Sequence, residues 1–529
     1  MAIQELDCLP QSRGVLAVPC VKERLGLLAT PTGLLLLLAS YFGLHALLRG
    51  LVSETAGIDE VDQILRAQIW SWGYGPQPPL YTWLMRIFLG LFGYNIFVVT
   101  LLRELLLLAS SMLAYCMTRR LTSSHACGLA AAAALQILPS FSWESQRELT
   151  NTILASTLVL ASQHCFLRLK NGSWPAYALF GLICGLGVLS KLNFLIVFFA
   201  LWAAALSLDA TRRLALNRKM FVAMFITLSL CAPYAVWVWR HPDLAFSTMY
   251  KLKIQESQAW WPAVWAGLKK WTVVAVAHVA PLVAAFAVLC GPATRRWTAR
   301  SEEQRLLWRM LLWIVGLVTA SILAFKVTGF RDRYVQPLFV WLPVLLVSVA
   351  HRELSLKRWK ALIGLGGAVA GLVLVLAPGR LLLTERLKKN ELLNTPFRTF
   401  ACDLQPAMLN ATCIIAENHA LGGNLRLWFP DKWVVDSEVA ALFSLTGKDC
   451  VLVWDATRNP MPPPRLLAFA ASLGARKATG RVWRFEEPLK YHRFRTMCLG
   501  VAPLSRVQAE LKASDQPCAA RRCVVPGPL

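Results

Sequence analysis

Apolar runs long enough to cross a bilayer recur through most of this chain, and they constrain its fold more than any other feature. A helical span needs about 20 mostly apolar residues. Eleven candidates stand near 28–48, 94–117, 125–142, 149–167, 174–190, 192–208, 219–239, 271–290, 306–326, 334–350 and 359–378. Only Ser190 and Lys191 separate the fifth from the sixth, so these two read as a tight hairpin or one broken pair. The mean hydropathy is +0.49, and 16% of residues are charged. Soluble domains carry about 25% charged residues. The fold class expected is therefore mainly α, a polytopic transmembrane helical bundle.

The formal net charge of +25 does not point to nucleic acid, because Lys and Arg fall in short clusters between apolar runs. Such clusters keep loops cytoplasmic and meet anionic headgroups. Arg119 and Arg120, Arg168 and Lys170, Arg212 to Lys219, Arg295 to Arg300, and Arg352 to Arg358 occupy alternate loops. The remaining loops, 50–93, 142–148, 240–270 and 327–333, then share the opposite face with the segment from Gly379 onward. In a bacterium that face is the periplasm. Residues 1–26 read as a cytoplasmic lead without a signal-peptide cleavage site. An odd number of spans puts the two ends of the chain on opposite sides.

Beyond Pro378 the pattern changes. β-like runs at Thr412–Ala416, Lys432–Asp436, Cys450–Trp454 and Gly480–Phe485 alternate with helical candidates at 419–428 and 463–475. This predicts a small α/β domain over 379–512 and an irregular tail over 513–529. Six of the 14 cysteines follow Pro378, which allows one or two disulfides on an oxidising face. The glycines from Gly181 to Gly187 lie inside an apolar run and fit close helix packing rather than a nucleotide loop.

The most unusual polar stretch is Ile58 to Leu84, IDEVDQILRAQIWSWGYGPQPPLYTWL, between the first two long apolar runs. An exposed carboxylate is ordinarily just solvated. Here Asp59 and Glu60 sit beside Ile58 and Val61, Asp62 and Gln63 follow within a turn, and a Pro-rich turn doubles the chain back. A carboxylate held at an apolar boundary can serve as a general base. The piece 78–93 is too short to span and suits the interface plane. On the same face lie Glu144, Arg147, Glu148 and Asn151, then Lys191, Lys326, Arg331, Arg333 and Tyr334. Each cation taken singly could be snorkelling at a helix end. Together they place carboxylates and cations on one membrane face, as a lipid-linked phosphate and a reacting hydroxyl require.

These residues resemble a family. Asp59-Glu60 followed by Gln77-Pro78-Pro79-Leu80 looks like the first periplasmic loop of the bacterial dolichyl-phosphate-mannose-protein mannosyltransferase-like proteins, glycosyltransferase family 39-type members of the GT-C superfamily. SWESQRELTNTILA is similar to that family's second acidic loop, with Glu148 where Asp is usual and Asn151 where His is often found. SKLNFL and FRDRYVQPLF resemble its later Lys and Arg-Tyr segments. The resemblance covers about 30–350.

It implies a glycosyltransferase domain over 27–378 in the bacterial inner membrane, with the loop 50–93 catalytic. It further implies a polyprenyl-phosphate sugar donor, an inverting transfer and a glycan, lipid or protein acceptor. Under it Asp59 is the base, and Glu60 and Glu148 are supporting carboxylates for acceptor or metal. Lys191, Arg331 and Arg333 are phosphate contacts. Gln63, Gln77, Tyr81, Arg147, Asn151, Lys326 and Tyr334 are further substrate contacts. Mg2+ or Mn2+ would suit Asp59, Glu60 and Glu148 beside a phosphate, though no sequence feature demands a metal. The competing readings are a flippase of lipid-linked sugars and a non-catalytic assembly partner. A transporter should place charge near the midplane, and Arg103-Glu104 inside the second span is the pair that fits it.

Overall fold

The computed structural model describes residues 30–254, 259–291, 299–387, 392–443, 448–473, 481–492, 494–504 and 512–513. The N-terminal lead, Arg295 and Arg296, Cys518 and Cys523, and the tail beyond residue 513 lie outside them. In the first half the helices are α1 (Pro31–Val52), α2 (Ile58–Arg66), α3 (Leu80–Phe92), α4 (Ile96–Thr122), α5 (His125–Leu135), α6 (Pro139–Ser142), α7 (Thr150–Arg168), α8 (Trp174–Ser190) and α9 (Phe194–Leu206). Then come α10 (Asp209–Ala215), α11 (Met220–Arg240), α12 (Pro242–Ala245), α13 (Trp260–Cys290), α14 (Glu302–Phe325), α15 (Asp332–Phe339), α16 (Leu342–Ala350) and α17 (Leu356–Leu382).

All eleven expected runs are helical. Eight are long and apolar enough to cross a membrane, α15 and α16 counting as one. The other three are the 77° bent segment His125–Leu135 with Pro139–Gln146, and the shorter α8 and α9. Local chemistry sets the ends. Thr30 caps α1, its side chain accepting from Gly33 N at 3.0 Å with Pro31 at the first position, and Asn95 caps α4 through Val98 N at 2.9 Å. α13 starts at Trp260, earlier than the expected 271, because WWPAVWAGLKK carries its only proline in the first turn. In the apolar stretch of Thr150–Asn171 83% of residues are buried, against 11% for Met220–Arg240, so α7 is central and α11 faces outward.

The Gly181 region packs as its composition suggests. A Cβ on Gly181 would overlap the backbone of Ala223 in α11, and Gly187 leaves room for the Phe194 ring of α9. The basic loops gather at one end of the bundle. There Lys170 pairs with Glu303 at 2.5 Å and Arg300 with Glu353 at 3.0 Å, and Arg120 donates to Leu167 O. At the other end, loops 53–57, 143–149, 190–193 and 327–333 meet one another or the C-terminal domain.

That domain contains α18 (Phe397–Met408), β1 (Cys413–Ala416), α19 (His419–Trp428), β2 (Trp433–Val435), β3 (Cys450–Asp455), α20 (Pro464–Ser472), β4 (Arg481–Pro488), β5 (Thr496–Leu504) and β6 (Lys512–Ala513). The sheet order is β2-β1-β3-β5-β4-β6. β1 runs parallel to β2 and β3, and β5 runs antiparallel to β3 and β4. Three elements of this domain escaped the sequence, the two-residue β6 among them. β5 contains Gly500 and Pro503, which weaken a strand reading. Gly500 stands opposite Trp454, whose indole fills the space a Cβ would take. α18 contains Pro406. Among the described residues Cys413 and Cys450 face each other in register on β1 and β3 as thiols, and two of the six cysteines to which the disulfide expectation applied lie outside those residues.

The domain is joined to α2 by a partly buried charge bridge. His419 places Nδ1 2.6 Å from Asp436 and Nε2 3.1 Å from Asp62, which Arg66 also holds at 2.7 Å. Burial disfavours the imidazolium, but Asp436 and Asp62 outweigh it and push the pKa up to about 10. Burial would likewise raise the Asp62 carboxyl, yet Arg66 and His419 hold it well below the ordinary range.

Two outcomes are expected. Gly181→Leu should separate α8 from α11 and cost about 1–3 kcal/mol, read as a lower unfolding temperature in detergent. A histidine with a raised folded pKa stabilises fully below its ordinary value of about 6.5 and loses that contribution through the folded value. The unfolding temperature should therefore fall from pH 6.5 towards 10, and His419→Gln should flatten that fall.

Candidate active site

Asp59 and Glu60 are neighbours on α2, and successive helical side chains point about 100° apart. They therefore part company. Glu60 turns inward to Arg103 at 2.9 Å and Arg49 at 3.3 Å, and accepts from Gly57 N at 2.8 Å. Burial would raise its pKa, but the two arginines hold it low. Arg103 also meets Glu104 at 3.2 Å, and Glu104 accepts from Gln146 at 3.0 Å. Glu60 is thus a framework residue with both oxygens committed, not the supporting carboxylate for acceptor or metal that the sequence suggested. The same chain of contacts reassigns Arg103-Glu104. The pair lies in the third turn of α4 and is tied to α2 through Glu60.

Asp59 turns the other way. Its Oδ2 accepts from Leu149 N at 2.9 Å, and its Oδ1 lies 3.5 Å from Arg333 Nη1. Arg333 Nη2 reaches Glu148 at 3.1 Å. One guanidinium, from residue 333, therefore spans two carboxylates, from residues 59 and 148. Burial, then the charge of Asp59, raises the Glu148 pKa, while Arg333 opposes both. Leu149 is buried and adopts φ +79°, a left-handed conformation costing a leucine about 1–3 kcal/mol. That strained turn aims the Leu149 N–H at Asp59 while Glu148 reaches Arg333. Nothing in the sequence signals it, because the contact is made by backbone.

Behind Arg333 sits Lys191, at the three-residue tip between α8 and α9. Its Nζ donates to Thr152 Oγ1 at 2.5 Å and to Arg333 O at 2.9 Å, and lies 5.6 Å from the Tyr334 ring centre. Burial, then Arg333, pushes its pKa down to about 7. Asn193, to which the sequence assigned no role, donates to Tyr334 O at 3.1 Å. The hairpin tip thus holds the backbone that carries Arg333. Asn151 is buried at the start of α7, and the Oδ1 atoms of Asn151 and Asn193 have no hydrogen-bond partner among the described residues.

The other predicted contacts are spread more widely. Gln63 is enclosed between α2 and α3, bonded to Asp62 at 3.1 Å and Thr82 at 2.7 Å. Tyr81 is fully buried, and Gln77 is half-buried in the Pro-rich turn. Arg147 lies 3.5 Å from Glu144 and 5.9 Å from the Trp143 ring. Lys326 ends α14, and Arg331 is exposed just before α15.

Asp59, Glu60 and Glu148 do not converge as a metal trio, since Glu60 faces away. Among the described residues, Asp62, His419 and Glu438 each bring one ligand atom within 4.8 Å of the others. Both His419 nitrogens are already committed to carboxylates, so this group acts as an ion bridge.

The family model described as dolichyl-phosphate-mannose-protein mannosyltransferase matches residues 76–237. The lipopolysaccharide core galacturonosyltransferase RgtA of Rhizobium johnstonii is 30% identical over 76% of this chain and 81% of its own. RgtB of the same organism, with the same description, is 28% identical over 83% and 90%. The crystal structure of ArnT from Cupriavidus metallidurans bound to undecaprenyl phosphate superposes with TM-score 0.56 and 13% identity, covering 89% of this chain and 98% of that one, which speaks for the fold. An integral membrane chain with this architecture and these relatives belongs to the dolichyl-phosphate-mannose-protein mannosyltransferase-like family of GT-C membrane glycosyltransferases.

Proposed function

We propose that this glycosyltransferase moves a sugar from a polyprenyl-phosphate donor to an acceptor hydroxyl with inversion, at the periplasmic face of the bacterial inner membrane. Asp59 is the general base. The observation that carries the reading is the Arg333 guanidinium held between Asp59 and Glu148, with Lys191 against its backbone. A donor phosphate competes for Arg333 and draws it from the carboxylates, which frees Asp59. The acceptor oxygen then attacks the anomeric carbon and the bond from that carbon to the phosphate oxygen breaks. The hydroxyl proton passes to Asp59, and polyprenyl phosphate leaves with one more negative charge. Arg333 and Lys191 meet that charge. Phosphate is already a good leaving group, so no second acid is needed of the kind a glycosidase uses.

The relatives' descriptions favour a galacturonosyl donor and a lipopolysaccharide core acceptor. The unsatisfied Oδ1 atoms of Asn151 and Asn193 suit sugar hydroxyls. An apolar cavity of about 290 Å³ between α8, α9 and α11 suits the isoprenoid tail. Val188 and Leu195 line it on either side of the Lys191 tip, and Phe198, Trp202 and Leu228 line it more deeply. Asp59 and Glu148 are the pair that would hold a divalent cation once Arg333 moves.

Asp59→Asn should fold and insert but lower kcat by about 10²–10⁴-fold, assayed in detergent with undecaprenyl-phosphate galacturonate. A wild-type rate would refute the base assignment. With burial and Arg333 pushing its pKa down to about 7, Lys191 should lose its proton above that pH. The kcat/KM profile should therefore fall above that pH, and Lys191→Gln should lower kcat/KM and remove the limb.

A further inference from the structure

We infer that α19 of the C-terminal domain is the template that sets the position of the base-bearing helix, with Asn424 as its positioning residue. The inference rests on the assignment of Asp59 proposed above. α2 has nine residues, and a helix that short is not stable alone in water. Its order must come from what it touches. Asn424 is fully buried in the middle of α19. Its Oδ1 accepts from Ala56 N at 2.7 Å, and its Nδ2 donates to Ala56 O at 3.2 Å and to Ala420 O at 2.9 Å. One side chain therefore grips both backbone groups of a residue three places before Asp59. Next to it Gly423 lies flat on Val61, where a Cβ would overlap that residue's Cα and Cβ.

The grip continues along the segment. Ser53 donates to Leu393 O at 2.5 Å and Thr55 to Thr395 O at 2.6 Å. Beyond α2, Gln68 bonds both backbone groups of Val434 in β2, at 2.7 and 2.9 Å. Two buried amides thus pin the segment at Ala56 and at Gln68, and α2 lies between them. Neither amide contacts Asp59, Glu148 or Arg333, so they act on the reaction only through where α2 sits. An asparagine inside a helix is a weak helix former, and both of its polar atoms are spent on the loop.

The test uses the full chain in detergent with undecaprenyl-phosphate galacturonate and a lipopolysaccharide core acceptor. Asn424→Ala should lower kcat by about 10²-fold, the scale of a misplacement near 1 Å, with KM for the lipid donor unchanged. Amide exchange should rise over 54–68 and stay unchanged in β1 and β3. Thr55→Val, which removes one bond, should show the same pattern more weakly, and it decides the matter if Asn424→Ala does not fold. Wild-type kcat in a folded variant, or a loss confined to KM, overturns the inference. If the wild-type chain transfers no sugar, the functional reading fails instead. The exchange pattern over 54–68 then supports or overturns the positioning role by itself.

Discussion

Glu60 cannot be buried at the end of a membrane bundle without compensation. A carboxylate in low dielectric is costly unless it is paired and fully hydrogen-bonded. Arg49 from α1, Arg103 from α4 and Gly57 N supply that compensation, and Glu104 and Gln146 extend it to the loop before α7. The network ties four segments to one point. It also fixes the rotation of α2, and with Glu60 turned inward its neighbour Asp59 points the other way, towards Glu148 and Arg333.

The site is assembled against this anchor from pieces that are individually weak. α2 is short, the turn at Leu149 is strained, and α15 begins at an extended Arg331. Each is held by a neighbouring segment. α19 holds α2, Asp59 itself caps the Leu149 turn, and Lys191 with Asn193 holds the backbone of Arg333 and Tyr334. Asp59 and Glu148 share a single cation, Arg333.

Much of this architecture is legible in the order of residues alone. Apolar runs report spans directly, because a bilayer leaves backbone groups no partner outside a helix. All eleven runs are helices, and the basic loops gather at one end. Short β-branched runs mark four of the strands in the C-terminal domain. Resemblance in the first loop points to Asp59, and the late Arg-Tyr segment points to Arg333. Illegible are β5, where Gly500 makes room for Trp454, and α18, which carries a proline. The strained amide at Leu149 and the backbone grips of Asn424 and Gln68 leave no mark on residue types either.

By itself, then, the sequence determined which segments lie in the membrane, which face collects the acidic and cationic residues, and which family the chain joins. These follow from composition and order along the chain. Only the tertiary structure gave Asp59 and Glu60 their separate surroundings. Two adjacent carboxylates look equivalent in a sequence, but on a helix they point to different sides, and one meets Arg103 and Arg49 while the other meets Leu149 N and Arg333. It also joined residues 59, 148, 191, 333 and 424 in one end of the bundle. Those contacts depend on packing between segments hundreds of residues apart, which no local pattern records.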